Sequence, residues 1–355
     1  MAAATIKDVA REAQVSVASV SRALNGGGGV TAATSERIHA AADRLQYIPH
    51  AAARMLITRR THTIGALLPD LHGEFFSELI RGIDLAARAR GLHLLVSSSH
   101  DGIAEAAAAV RSMQGRVDGL LILSGRIDAA FLRANLPMAL PVVLLNSAVN
   151  NPAYSVLNVD NHAGAAAMVR HLLQAGHAEV ALIAGPDGNF DARQREQGYR
   201  SAMAKYAPRA TLNIVAGDFS EESGYRAGQQ LLARGVRPRA VFAANDMMAV
   251  GCLIAFREAG VRVPQDIALA GFDDIPIARY VTPALSTVRV RIANFGRLAL
   301  GRLADIIEHP EQEPPAVDTL GFEIVARETC GAKNAASLPA GISKSSQQAA
   351  RGGKR

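Results

Sequence analysis

Between Ile64 and Ala270 short apolar runs alternate with longer stretches of helical periodicity, and few architectures satisfy that alternation. The runs are Ile64–Leu68, Leu92–Val96, Gly119–Leu123, Val142–Leu145, Val156–Val159, Val180–Ala184, Leu212–Val215, Ala240–Ala244 and Ile267–Ala270. Helical stretches such as Phe75–Arg90, Asn161–Ala175, Arg193–Lys205, Glu221–Ala233 and Met247–Ala259 lie between them. Strands that are apolar along their whole length need cover on both faces, which parallel sheets flanked by helices supply. About ten strands in roughly 265 residues fit two doubly wound α/β halves better than one, the second starting near Asp160.

Sheets of this kind bind small molecules beyond the carboxyl ends of their strands. Those ends carry Pro69-Asp70, Asn146, Asp160, the Gly185–Arg195 loop, Asp218-Phe219, Asn245-Asp246 and Phe272-Asp273-Asp274. Acids, amides, one arginine and aromatics together suit vicinal hydroxyls on an apolar sugar face. A single acid such as Asp246, Asp273 or Asp274 reads equally well as a helix or turn cap; convergence from both halves favours a site. No Walker A sequence, G-x-G-x-x-G after a strand, H-x-x-H spacing or G-x-S-x-G elbow occurs, so no cofactor, metal or enzymatic activity is expected. The two cysteines, Cys252 and Cys330, form neither a disulfide scaffold nor a zinc spacing.

The chain of 355 residues has a net charge of +6, unevenly placed. Residues 1–63 carry +4, residues 332–355 carry +5 and the middle carries −3. A basic head on a slightly acidic body suits a protein whose head alone meets a polyanion. The head sequence Thr5–Asn25, TIKDVAREAQVSVASVSRALN, supports this. Thr5 and Asp8 form a capping-box-like start, and Ser16 can cap a second helix after a short turn. Val9, Val15, Val20 and Leu24 supply a core, which leaves Val17 and Ala18 facing outward. Two short helices joined by such a turn describe a helix-turn-helix, whose second helix enters the major groove. A third helix is expected over Thr31–Gln46, stopped by Tyr47-Ile48-Pro49.

The run TIKDVAREA-VSVASVSRALN, the later YIPHAAARML and the TIG that opens the body resemble the LacI/GalR family of transcription regulators, and the resemblance continues to about residue 330. It implies an N-terminal all-α helix-turn-helix domain (1–49), a hinge helix and linker (50–62) and a periplasmic-binding-protein-like (type I) α/β core (63–330). The core's N-lobe would comprise about 63–159 and 290–319, its C-lobe about 160–289 and 320–330. By that resemblance Val17, Ala18 and Arg22 read bases, and Thr5, Ser16, Ser19, Ser21 and Asn25 touch phosphates or cap helices. His50, Ala53 and Leu56 belong to the hinge, with Leu56 wedging into the minor groove. The chemistry agrees: Arg can bond a guanine bidentately, and apolar side chains can pack on a thymine methyl or wedge a flexible step. Gln14 stands where many members carry a turn glycine.

The same resemblance places Asp70, Phe75, Phe76, Asn146, Asp191, Arg195, Phe219, Asn245 and Asp273 around an effector between the lobes. Asn146 departs from the Asp of many members. The segment GDFSEESGYRAGQQLL also resembles purine-sensing members. A repressor of carbohydrate use controlled by a small sugar is the first expectation and a purine-responsive regulator the second. A sugar receptor or an α/β enzyme is remote. The partners expected are a pseudo-palindromic duplex and a second copy of the chain. The last residues lack leucine heptads, so a dimer is favoured over a tetramer, and 331–355 reads as a disordered basic tail. With no apolar leader and no run of 18 apolar residues, a cytoplasmic location without membrane contact is expected.

Overall fold

The structure, a computed structural model, describes residues 4–24, 29–47, 60–100, 102–149, 151–234, 237–311 and 317–331. Asn25, His50, Ala53, Leu56, most of the expected hinge helix and the basic tail from residue 332 lie outside the described residues. The chain divides into two compact units, residues 1–63 with 115–118, and the remainder.

In the first unit, α1 (Ile6–Glu12), α2 (Val17–Leu24) and α3 (Ala32–Arg44) enclose Val9, Ala13, Val20, Ile38 and Ala41, all fully buried. Val15 and Leu24 pack against this core without being buried in it. The Thr5 backbone N–H and hydroxyl both donate to the Asp8 carboxylate, at 3.0 and 2.7 Å. Ser16 Oγ accepts from the Ser19 N–H at 3.1 Å, capping α2. Gln14 turns the chain between these helices at φ +52°, the left-handed conformation for which glycine is the easier residue. Helix α3 ends before the expected proline effect: Gln46 takes φ +48° and the Tyr47 N–H returns to the Ala42 carbonyl at 2.8 Å.

The second unit holds two six-stranded sheets. Sheet one contains β1 (Thr63–Leu68), β2 (His93–Ser98), β3 (Gly119–Leu123), β4 (Val142–Leu145), β5 (Ser155–Val159) and β11 (Val317–Leu320), ordered β11-β5-β4-β3-β1-β2. Sheet two contains β6 (Val180–Ile183), β7 (Asn213–Val215), β8 (Ala240–Ala243), β9 (Ala268–Asp273), β10 (Ser286–Arg289) and β12 (Glu323–Val325), ordered β12-β10-β9-β8-β6-β7. Helices α4 (Glu74–Arg88), α5 (Ile103–Met113), α6 (Ala129–Asn135) and α11 (Ile292–Glu308) accompany the first sheet. Helices α7 (Asn161–Gln174), α8 (Phe190–Tyr206), α9 (Glu221–Ala233) and α10 (Asp246–Glu258) accompany the second. The chain passes between the sheets after β5, after β10 and after β11.

One expectation needs correction. The sheets are not wholly parallel, because β12 runs antiparallel to β10. Strands β10, β11 and β12 also have no counterpart among the apolar runs of the sequence. The reason is plainest in β11, an edge strand with Val317, Asp318 and Thr319 exposed, which needs no continuous apolar character.

Helices α9 and α10 approach so closely that two positions require glycine. A Cβ at Gly224 would meet the Met248 backbone, and one at Gly251 would meet the Glu221 carbonyl and the Tyr225 nitrogen. Backbone cannot step aside as a flexible side chain does. Gly251→Ala is therefore expected to cost about 1–3 kcal/mol of stability, read as a lower urea midpoint at unchanged slope. An unchanged midpoint would show that the helices can separate at little cost.

Candidate functional site

The carboxyl ends of β1 and β3 in sheet one and of β6, β7, β8 and β9 in sheet two surround a cavity of about 360 Å³. That volume lies in the range of small-molecule sites. Helix caps build much of its wall. Asn189 accepts from the Ala192 N–H and starts α8; Asn245 accepts from the Met248 N–H and starts α10. Of the nine side chains the sequence assigns to an effector, Asp70, Phe75, Phe76, Asp191, Arg195, Phe219, Asn245 and Asp273 line this cavity.

Asn146 does not. It is buried behind the wall, with Nδ2 donating to Asp191 Oδ2 at 3.0 Å and Oδ1 accepting from the Val159 N–H at 3.0 Å. The structure corrects its role from cavity contact to support for Asp191. Asp70, though on the rim, spends one oxygen on the backbone N–H groups of Leu71 and His72, so it also shapes its own turn.

Arg195 organises the interior at 4% exposure. Its Nε donates to Asn161 Oδ1 at 2.8 Å, Nη1 to the Ala244 carbonyl at 2.6 Å and Nη2 to Asp273 Oδ1 at 3.0 Å. The guanidinium lies 3.8 Å from the centre of the Phe272 ring and 5.8 Å from that of Phe219. A planar cation held by three acceptors and stacked on an aromatic face has one orientation, which a lysine could not reproduce. On the opposite side Phe75 and Phe76 meet edge to face, with centres 5.5 Å apart.

The backbone is strained where these groups converge. Phe219 has φ +73°, Asp273 +111° and Asp274 +57°. Such conformations persist where the surroundings over-determine them. Asn245 Nδ2 donates to the Phe219 carbonyl at 2.9 Å. Asp274 is gripped by Arg289 and Arg327, with Arg279 3.7 Å away. The neighbouring carboxyls Asp273 and Asp274 thus face different arginines.

Burial raises the pKa of both Asp191 and Asp273 to about 6. Arg195 opposes the rise at each, and the amides of Asn146 and Asn161 oppose it further at Asp191. Burial also lifts Asp246 well above the usual carboxylate range. Asp246 accepts from Thr287 Oγ1 at 2.6 Å and the Ile275 N–H at 3.0 Å, so it ties the start of α10 to β10 and does not line the cavity.

The sequence reading missed Asn161 and the rim residues His72, His100 and Met247, and it marked Phe272 and Asn189 only as parts of strand-end segments. Asn161 and Phe272 follow or end apolar strands, so position alone pointed to them; only the fold shows what they touch. No group of three or more His, Cys, Asp or Glu that could hold a metal is found among the described residues. No helix among them is long and apolar enough to cross a membrane.

On α2 of the first unit, Ser16, Val17, Ala18 and Arg22 are exposed while Val20 is buried on the other face. Val17 is 41% exposed, an apolar side chain outside the core as the sequence required. Ser19 and Ser21 are half-buried, and Thr5 is exposed at the start of α1. Arg22 folds back, Nε donating to the Ala18 carbonyl at 3.3 Å.

A helix-turn-helix in one unit and two mostly parallel sheets with a cavity at their strand ends in the other define a class of ligand-binding regulators. Residues 5–50 match the description "Bacterial regulatory proteins, lacI family" and residues 169–330 match "Periplasmic binding protein-like domain". The chain is 37% identical over 315 residues to the ribose operon repressor of Escherichia coli (strain K12), covering 86% of this chain and 94% of that one. It is 35% identical over 319 residues to the HTH-type transcriptional repressor PurR of Escherichia fergusonii, covering 89% and 94%. The structure resembles that of the lac repressor dimer bound to operator and the anti-inducer ONPF, with TM-score 0.83 at 29% identity, covering 93% and 100%. It also resembles a LacI family regulator from Enterococcus faecium with bound ribose, with TM-score 0.68 at 27% identity, covering 75% and 98%. The chain belongs to the LacI family of bacterial regulatory proteins, whose matched relatives are repressors rather than enzymes.

Proposed function

We propose that this chain is a cytoplasmic, homodimeric repressor that binds a pseudo-palindromic operator and responds to a ribose-like pentose in its cavity. The charge of the cavity carries the choice of ligand. Asp70, Asp191, Asp218, Glu221 and Asp273 line it against Arg195, the one arginine among the described residues of its wall, whose three nitrogens already donate to protein acceptors. Such a wall accepts hydrogen bonds from hydroxyls and repels phosphates and carboxylates. The phenylalanines offer apolar faces to a sugar ring. The relatives named for ribose, and the ribose-bound relative, support the same class. Val17, Ala18 and Arg22 are the base-reading side chains in this proposal, with Thr5, Ser16, Ser19 and Ser21 at phosphates.

The test pairs calorimetry with operator binding. Ribose should bind, ribose 5-phosphate should not, and ribose should change operator affinity by roughly five- to 150-fold. Arg22→Ala should weaken specific binding by about 1–3 kcal/mol while leaving ribose binding intact. Hypoxanthine binding without pentose binding would replace the sugar by a purine. Sequence-blind binding with no steep salt dependence would remove the repressor assignment.

A further inference from the structure

We propose that Asn161 is a positioning residue that holds two ligand-facing side chains, Asp191 and Arg195, in register with the chain crossing between the sheets. The inference rests on the sugar reading for its affinity test, and on geometry alone for its second test. Asn161 is 1% exposed and does not line the cavity. Its Nδ2 donates to Asp191 Oδ1 at 2.8 Å, and its Oδ1 accepts from Arg195 Nε at 2.8 Å. One planar amide therefore fixes both groups, and the two bonds together set which end is oxygen.

The backbone beneath that amide belongs to the crossing from β5 to α7. The Asp160 N–H donates to the Leu320 carbonyl at 3.1 Å, and Asp160 Oδ1 caps α7 by accepting from the Ala163 N–H at 3.0 Å. Asn146, from the end of β4, holds the other Asp191 oxygen. Asp191 is thus clamped between an amide of sheet one and an amide of the crossing. A rotation at the crossing must turn Asp191 and Arg195 with it.

Among an amide, a carboxylate and an alkyl side chain, only the amide meets both demands. A leucine supplies neither bond. A carboxylate keeps the acceptor for Arg195 but sets a second negative charge against Asp191. A protonated carboxyl restores the pattern, its O–H donating to Asp191 and its C=O accepting from Arg195. The charged and titratable groups around this position are Asp191 and Arg195 from α8 and Asp273 from β9, with Asp160 on its own helix.

The experiment uses the full chain and reads ribose affinity as the ratio of variant to wild type at each pH. Asn161→Asp should weaken binding roughly tenfold or more at pH 7.5 and recover most of that loss near pH 5.5. Asn161→Leu should show a similar loss without recovery. Equal losses at every pH for both variants, or wild-type affinity in both, would overturn the proposal. The second measurement needs no ligand: the Asp191 carboxyl titration followed by carbon NMR. Its midpoint should rise above the wild-type value in Asn161→Leu, because a donor to the charged form is gone. An unchanged midpoint overturns the proposal even if the cavity takes no sugar. Absence of wild-type ribose binding with a raised midpoint would instead fault the ligand assignment.

Discussion

Arg195→Leu is expected to abolish measurable sugar binding and to destabilise the folded protein by about 3–5 kcal/mol. The loss comes from the groups left behind. Asp273, Asn161 and the Ala244 carbonyl each accept a bond from Arg195, and all would be buried without that donor. The Phe272 ring would lose its stacked cation. Arg195→Lys should recover little, since a point charge on a flexible stem cannot serve three acceptors in one plane. Removing the stranded charge as well, in Arg195→Leu with Asp273→Leu, should restore part of the stability but none of the binding. Urea unfolding and calorimetry on the same variants provide the measurement. A single variant as stable as wild type would show that the network contributes nothing to the fold.

The second large effect is on pH. Asp191 and Asp273 have ordinary values of 3.8 that burial raises to about 6 in the folded chain. Between those values the folded state holds more protons than the unfolded one, so stability falls as pH rises. The contribution is fully present below 3.8 and lost as pH passes through about 6. At about 1.4 kcal/mol per pKa unit, each carboxyl shifts stability by a few kcal/mol at most, and less together because Arg195 serves both. Opposing groups act lower. Asp266, held near 2 by Arg262, and Glu323, lowered by Arg291, lose their stabilising effect as pH falls through their own folded values. Stability of the ligand-free protein should therefore be highest at about pH 4 and fall as the pH rises through about 6. Urea unfolding at half-unit pH steps would locate the maximum. A maximum at pH 7 or above would mean that the buried carboxyls are better solvated than their surroundings imply.

Much of this protein is legible in its sequence for reasons tied to particular residues. The apolar strands announce themselves because both faces of β1, β3, β4 and β8 are covered. Ser16 and Thr31 mark helix starts because their hydroxyls accept from orphan N–H groups, and Thr5 does so because its own N–H is taken up by Asp8 three residues on. Val17 could be placed outside because the head already had a core without it. The strands β11 and β12 escaped as edge strands, and β10 because its residues Ser286, Thr287 and Arg289 break any apolar run. The end of α3 was set by Gln46 in a left-handed turn, not by the proline beyond it.

The site divides in the same way. Strand ends are properties of a local pattern, and they pointed to Asp70, Asp191, Arg195, Phe219, Asn245 and Asp273; the family resemblance added Phe75 and Phe76, and all eight line one cavity. What each side chain does there is not local. Asn146 faced the cavity by analogy and instead supports Asp191; Asn161 read as the first residue of a helical stretch and bridges Asp191 and Arg195. Amino-acid order by itself determined the alternation of strand and helix, the basic head and the residue types near a ligand. Those follow from periodicity and capping within a few turns of chain. Tertiary structure alone decided which carboxyls share Arg195 and which amide orients them, because Asn161, Arg195, Ala244 and Asp273 are distant in the chain and meet only when sheet two is assembled.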